Sequence, residues 1–195
     1  MSVTPAMSIY ESTFSQSDTT DAILVVEGKK LHVNKAVLSF HSDYFNTLFN
    51  GEFKDKSMQE ISIKDVKFED FAATLSLLYP SPIKPTGIKS LCQNWKTPIF
   101  PEENVERLLE IADRFLISSV KYTLELYVKT SNKDKMDKIR IADKYKLQDL
   151  MYYGIRQFTS CSQFKGIKRH AVYNLLSDKA KLDLLSYYFT LAGYD

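Results

Sequence analysis

The chain is poor in the residues on which most protein chemistry depends. Its 195 residues include two cysteines, Cys92 and Cys161, and three histidines, His32, His41 and His170. Two thiols so far apart make neither a disulfide framework nor a zinc site, and a pair of reduced thiols is expected. The histidines show no metal-ligand spacing. Only six glycines occur, none grouped into a phosphate-cradling loop. No nucleophile sits in a strained or glycine-flanked turn, so Asp21, His32 and His41 have nothing to activate as a relay. Catalysis is not expected, and neither is a cofactor or a metal.

Charge and long apolar runs are equally uninformative. Twenty-six basic residues face 24 acidic ones, a net charge of +2. That balance gives neither an acidic tail nor the electrostatic footprint of a nucleic-acid binder. No run of about 18 apolar residues is present, so no membrane span is expected. The first residues, MSVTPAMSIYESTFSQS, have neither the basic start nor the apolar run of a signal peptide. A soluble cytoplasmic and/or nuclear protein is expected, bound to neither nucleic acid nor membrane. The one basic cluster, Lys165-Gly166-Ile167-Lys168-Arg169-His170 between Phe164 and Tyr173, reads as the solvated side of an amphipathic helix.

What the chain does have is apolar patterning. Residues 1–17 are Ser/Thr-rich and expected to be mobile, with Tyr10 and Phe14 able to dock as an extra strand. Ala22-Ile23-Leu24-Val25-Val26 is an unbroken apolar run, as in a strand covered on both faces. Glu27-Gly28 supplies a turn, and Leu31 and Val33 alternate with Lys30 and His32 in the return strand. Asn34 can cap a helix over residues 35–40, and Ser42 a second one carrying Phe45, Leu48 and Phe49 on one stripe. Ile61 and Ile63 share a strand face, and Phe68, Phe71, Ala72, Leu75, Leu78 and Tyr79 share a helix face.

Five of the six prolines, with the only tryptophan, Trp95, fall between Pro80 and Pro101, which predicts a loop. A real insertion anchored by Trp95 and a foreign stretch near residues 86–99 both fit that composition. Beyond it the chain reads as entirely helical and repeats. Ile111-Ala112-Asp113-Arg114-Phe115 returns thirty residues later as Ile141-Ala142-Asp143-Lys144-Tyr145. Ile117, Val120, Leu124 and Val128 correspond to Leu147, Leu150, Gly154 and Phe158. Each copy reads as an αα-hairpin, and two hairpins are too few for a free solenoid, so they are expected to pack on the rest. One or two further helices follow Gly166, one capped by Ser177 or Asp178.

The ordered set of Asp21, Gly28-Lys29-Lys30-Leu31-His32-Val33, Asn34-Lys35-Ala36-Val37-Leu38, His41-Ser42-Asp43-Tyr44-Phe45, Leu48-Phe49, Ile61–Val66 and the helix around Phe71 resembles the BTB/POZ domain. The resemblance is to the BTB and 3-box portion of MATH–BTB cullin-3 adaptors, with no MATH domain expected here. It implies an α/β (α+β) fold, a small mixed sheet flanked by helices and followed by an all-helical extension. The implied bounds are a mobile 1–17, a BTB/POZ domain over 18–130 with its proline-rich loop at 80–101, and a 3-box/BACK-like extension over 131–195.

The resemblance also implies sites and partners. Cullin-3 adaptors carry a hydrophobic-x-Glu motif where this chain has Phe53-Lys54-Asp55, so Phe53 and Asp55 are the cullin-binding candidates. Asp55 departs from the pattern by one methylene. The dimer face of the family maps onto Phe14, Asp21, Lys35, Leu38, Phe40 and His41, with Asp21 and Lys35 forming a partly buried charged pocket. Tyr10 to Phe14 would supply the strand if the N-terminus exchanges between subunits. The implied function is a dimeric adaptor, homo- or heteromeric with other BTB proteins, that binds cullin-3 and brings an unknown substrate to a ubiquitin ligase. The alternative is a non-enzymatic oligomerisation scaffold that does not engage cullin-3.

Overall fold

Two positive-φ residues in succession, Glu27 (φ 49°) and Gly28 (φ 76°), turn the chain back on itself and start the fold. That pair matches the right-handed twist of a two-residue hairpin. The computed structural model describes residues 9–51, 60–79 and 104–194. Phe53, Asp55, Cys92 and the segment over 80–101 with Trp95 lie outside the described residues.

The hairpin joins β1 (Ala22–Val26) to β2 (Lys29–Val33) in antiparallel register, Leu24 facing Leu31. A third strand, β3 (Glu60–Ile63), pairs parallel to β1 with Leu24 beside Ile61, giving the order β2-β1-β3. The sheet is therefore small and mixed. Ala22, Leu24 and Val26 are fully buried while Ile23 and Val25 are half-buried. The expectation of a central strand sealed on both faces is thus met on one face and only half met on the other. Glu27 has a second role: its carboxylate accepts the Phe68 backbone N–H at 2.8 Å. Helix α4 (Phe68–Ser76, numbered in the chain order that follows) has no cap bond from its own Lys67, so the hairpin turn supplies it.

Residues 9–13, within the segment expected to be mobile and able to dock as a strand, form a short helix, α1 (Ile9–Thr13). A helix sets Tyr10 and Phe14 on one side, whereas a strand would place Ser12 between them on the same face. Phe14 ends in the interior, its ring edge-on to Tyr79 at 5.9 Å, and its carbonyl accepts the His32 N–H at 2.9 Å. That bond covers part of the free edge of β2, where unpaired backbone would otherwise be open to other chains.

After β2 come α2 (Lys35–His41) and α3 (Asp43–Asn50). Asn34 Oδ1 accepts from Val37 N at 3.0 Å, and Ser42 Oγ from Phe45 N at 3.1 Å, so both caps are those the sequence predicts. Helix α4 follows β3, and Arg107 of α5 (Val105–Arg114) reaches buried Asp70 of α4 at 3.1 Å. Helix α6 (Ser118–Thr130) closes the first hairpin. The chain divides within α6 into two compact units, residues 1–123 and 124–195.

In the second unit α7 (Lys135–Tyr145) and α8 (Gln148–Arg156) form the second hairpin. The repeat is real in three dimensions. Both corners hold a left-handed residue, Leu116 (φ 51°) and Lys146 (φ 58°). Both close with the same bond, Ile117 N to Ala112 O at 2.8 Å and Leu147 N to Ala142 O at 2.9 Å. Glu125, buried, accepts the Leu150 N–H at 2.8 Å and caps α8. Lys138, also buried, donates to the carbonyls of Lys129 and Ser131 at the end of α6. Three short 3-10 turns then lead to α9 (Asp178–Ala192), capped by Ser177. Asp143 anchors that cap, accepting from both the N–H and the Oγ of Ser177 at 2.6 Å. The basic cluster lies on the 3-10 turns, not on an amphipathic helix, because Gly166 (φ 80°) interrupts it. Among the described residues no helix is long and apolar enough to cross a membrane.

Gly154 lets α7 and α8 approach closely: a Cβ there would stand 2.9 Å from Ile139 Cγ1. Gly154→Ala gains helix propensity of roughly 1 kcal/mol but overpacks the contact by roughly 1–3 kcal/mol. A net loss of stability is expected in denaturant melts.

Tyr10 and Tyr79 both have their pKa raised above the usual 10.0, chiefly by burial. The carboxylates of Glu69 and Asp70 push Tyr10 further up, while the Asn34 backbone offsets part of the rise at Tyr79. The fold favours the neutral phenols. This contribution is fully present below the unfolded tyrosine pKa of about 10 and is lost as pH rises through the raised folded values. Alkaline titration followed by circular dichroism is expected to show unfolding set off above pH ~10, with the onset moved upward in Tyr10→Phe, Tyr79→Phe.

Candidate association surface

The N-terminal corner of α2 is built from two side chains, Asp21 and Asn34, and the backbone around them. Asp21 Oδ1 accepts the Lys35 backbone N–H at 2.7 Å, Asn34 Oδ1 takes the Val37 N–H, and Asn34 Nδ2 donates to Thr19 O at 2.7 Å. Two of the four orphan amides of the helix are thereby satisfied, and a carboxylate sits at the positive end of the helix dipole. Asp21 and Lys35 do meet, but through the backbone amide, and Asp21 is exposed. In the single chain Asp21 thus acts as an exposed helix cap.

The other end of α2 is held by Ser42. Its Oγ donates to Phe115 O at 2.6 Å while also capping α3, and its backbone bridges to Ile117. With both ends fixed, the helix buries one face and presents the other. Leu38 is 0% exposed and Phe40 is 84% exposed. Ala36, also exposed, lies one turn before Phe40 on the same side. His41 is half-buried, its ring edge-on to that of Phe40 at 5.0 Å.

Of the residues assigned to the dimer face, Phe40 and His41 thus share a surface. Leu38 does not, because the helical turn that carries Phe40 outward directs Leu38 into the core. Phe14, 3% exposed, is likewise part of the interior of its own unit and offers no ring to a partner. Phe53 and Asp55 fall outside the described residues, so the structure places neither.

A second apolar patch was not anticipated. Tyr44, 37% exposed, packs edge-on against Phe115 at 5.0 Å, and the next residue, Leu116, is 53% exposed. The internal repeat held the signal. At the equivalent solvent-facing corner the second copy carries Lys146, so a leucine in the first copy is an apolar side chain where a charged one suffices. Exposed large apolar groups of this kind mark association sites. Among the described residues no cluster of His, Cys, Asp and Glu could hold a metal ion.

Residues 10–132 match the BTB/POZ domain family. The BTB/POZ domain-containing protein Y57A10B.3 of Caenorhabditis elegans is 33% identical over 172 residues, covering 87% of this chain and 49% of that protein. BTB and MATH domain-containing protein 36 of the same organism is 30% identical over 158 residues, covering 80% of this chain and 45% of that protein. The chain spans about half the length of these curated relatives. The solved BTB domain of human Gigaxonin is similar at 20% identity and a TM-score of 0.43, covering 65% of this chain and 96% of that one. With well over half of its length matched by the family and relatives of this kind, the chain belongs to the BTB/POZ domain family, whose domain is a protein-interaction module.

Proposed function

We propose that this chain is a dimeric BTB adaptor that engages cullin-3 and supports recruitment of a substrate protein to a ubiquitin ligase. The observation that supports pairing is Phe40, a phenyl ring left 84% exposed on a helix whose opposite face is locked into the core. Burying such a ring is favourable by roughly 1.5–3 kcal/mol. A twofold pairing of α2 with its twin removes two rings from water with one self-complementary patch.

The cullin half of the proposal rests on Phe53-Lys54-Asp55 and on the family resemblance that gives the motif meaning. Phe53 supplies the apolar residue. Asp55 reaches one methylene less far than glutamate, a change worth about one hydrogen bond, roughly 1 kcal/mol, which weakens contact without abolishing it. The exposed Tyr44 and Leu116 add a second apolar surface for a partner.

Light scattering and cullin-3 pull-down on wild type, Phe40→Glu and Phe53→Ala test the two halves separately. The wild type is expected to be a dimer at micromolar concentration, and Phe40→Glu a monomer with an unchanged circular dichroism spectrum and a lower melting temperature, as expected when dimer stabilisation is lost. Phe53→Ala is expected to remain dimeric while losing cullin-3 capture by roughly tenfold or more. A wild-type dimer that captures no cullin-3 leaves the oligomerisation scaffold, the reading that Asp55 favours. A monomeric wild type would sink both.

A further inference from the structure

We infer that the second unit carries a docking site for an acidic peptide with one large apolar anchor residue. From Leu150 to Ser177 the chain contains no aspartate or glutamate, yet it carries Arg156, Lys165, Lys168 and Arg169. Lys165, Lys168 and Arg169 are all exposed, and none has an acidic partner among the described residues. The 3-10 turns hold this segment beside α9, and a cavity of about 520 Å³ lies between them. Phe164, Ile167, Tyr173, Leu184 and Tyr188 form its apolar walls, and Lys165, Lys168 and Lys181 line the same cavity. Lys181 stands 5.8 Å from the centre of the Tyr173 ring. Its ion-pair partner among the described residues, Asp178, is 3.8 Å away and fully exposed, so the pair is solvent-screened and weak.

Two costs coincide here. Three ammonium groups line one concavity that has no carboxylate among its lining residues, and its apolar walls are left against water. A ligand relieves both only if it brings negative charge and an apolar body together. An aromatic or long aliphatic side chain fills the cavity, and flanking carboxylates meet Lys165, Lys168 and Lys181. The walls are already braced, since Phe164 packs against Phe158 at 4.4 Å and edge-on to Tyr188 at 5.4 Å. Little ordering is then left for binding to supply. A nucleic acid is the poorer fit. The cations converge on a pocket instead of tracking along a groove, and the protein's net charge of +2 offers a polyanion no extended field. This inference goes beyond the cullin reading and does not depend on it.

The test is fluorescence anisotropy on the full chain with a labelled peptide of glutamates and serines around one central tryptophan. The same peptide with alanine for tryptophan, and an unlabelled oligothymidine as competitor, complete the set. The tryptophan peptide is expected to bind roughly tenfold or more tightly than the alanine one. Lys165→Glu, Lys168→Glu, at two exposed positions, is expected to weaken it by roughly tenfold with an unchanged melting curve. Lys165→Ala, Lys168→Ala is expected to fall between. The inference is overturned if the two peptides bind alike, if neither binds, or if charge reversal leaves binding unchanged. Competition by oligothymidine below the peptide's own concentration would overturn it in favour of a nucleic-acid site.

Discussion

The first unit depends on the environment of Phe115. Its ring stacks on Phe45 at 5.8 Å, meets Phe71 edge-on at 5.1 Å, and receives Tyr44 edge-on at 5.0 Å. Each such pair contributes roughly 0.5–1.5 kcal/mol beyond the area it buries. The carbonyl of the same residue accepts the Ser42 hydroxyl, so side chain and backbone both tie α3 and α4 to the corner between α5 and α6. The consequence reaches the surface. Ser42 also ends α2, so fixing Ser42 fixes the rotation of α2 and therefore which of its residues meet water. Phe40 is exposed because the corner at Phe115 leaves α2 no freedom to turn it inward.

The two hairpins show how one local design serves different ends. Phe115 and Tyr145 occupy equivalent buried positions, and the corner bond after each is nearly identical in length. Positions facing outward have diverged. Asp113 pairs with Lys121 on its own hairpin, whereas Asp143 accepts two hydrogen bonds from Ser177 and so starts α9. Leu116 is apolar where Lys146 is charged. One buried position has diverged as well: Leu124 is a full side chain where Gly154 is none, which brings α8 onto Ile139. Most shared buried positions keep the hairpin, and the outward positions together with this one decide what each hairpin touches.

The surfaces that invite partners share one physical character: apolar groups that the chain alone does not cover, set among polar ones. Phe40 beside His41, Leu116 beside Tyr44, and the lysine-rimmed cavity of the second unit are of this kind. In interfaces a few large side chains of this sort carry most of the binding energy, and surrounding polar contacts set specificity. Such an arrangement suits a protein-interaction module.

Much of this was written in the residues themselves. The hairpin at Glu27-Gly28, the caps Asn34, Ser42 and Ser177, the alternation in β2 and the thirty-residue repeat are local features, decided by neighbours a few positions away. Hydrogen-bond caps and side-chain periodicity act over short range, so a reader of the chain can see them. Other features were settled by contacts between distant segments. Tyr10 and Phe14 form a helical pair instead of a strand because α4 and Tyr79 offer one face to pack against. Leu38 lies inside while Phe40 lies outside because a corner seventy-odd residues away sets the angle of α2. The basic cluster became the rim of a cavity once Gly166 broke the helix and α9 closed over its apolar neighbours. Which face of an element is covered depends on what arrives from elsewhere in the chain, and only the folded chain decides that.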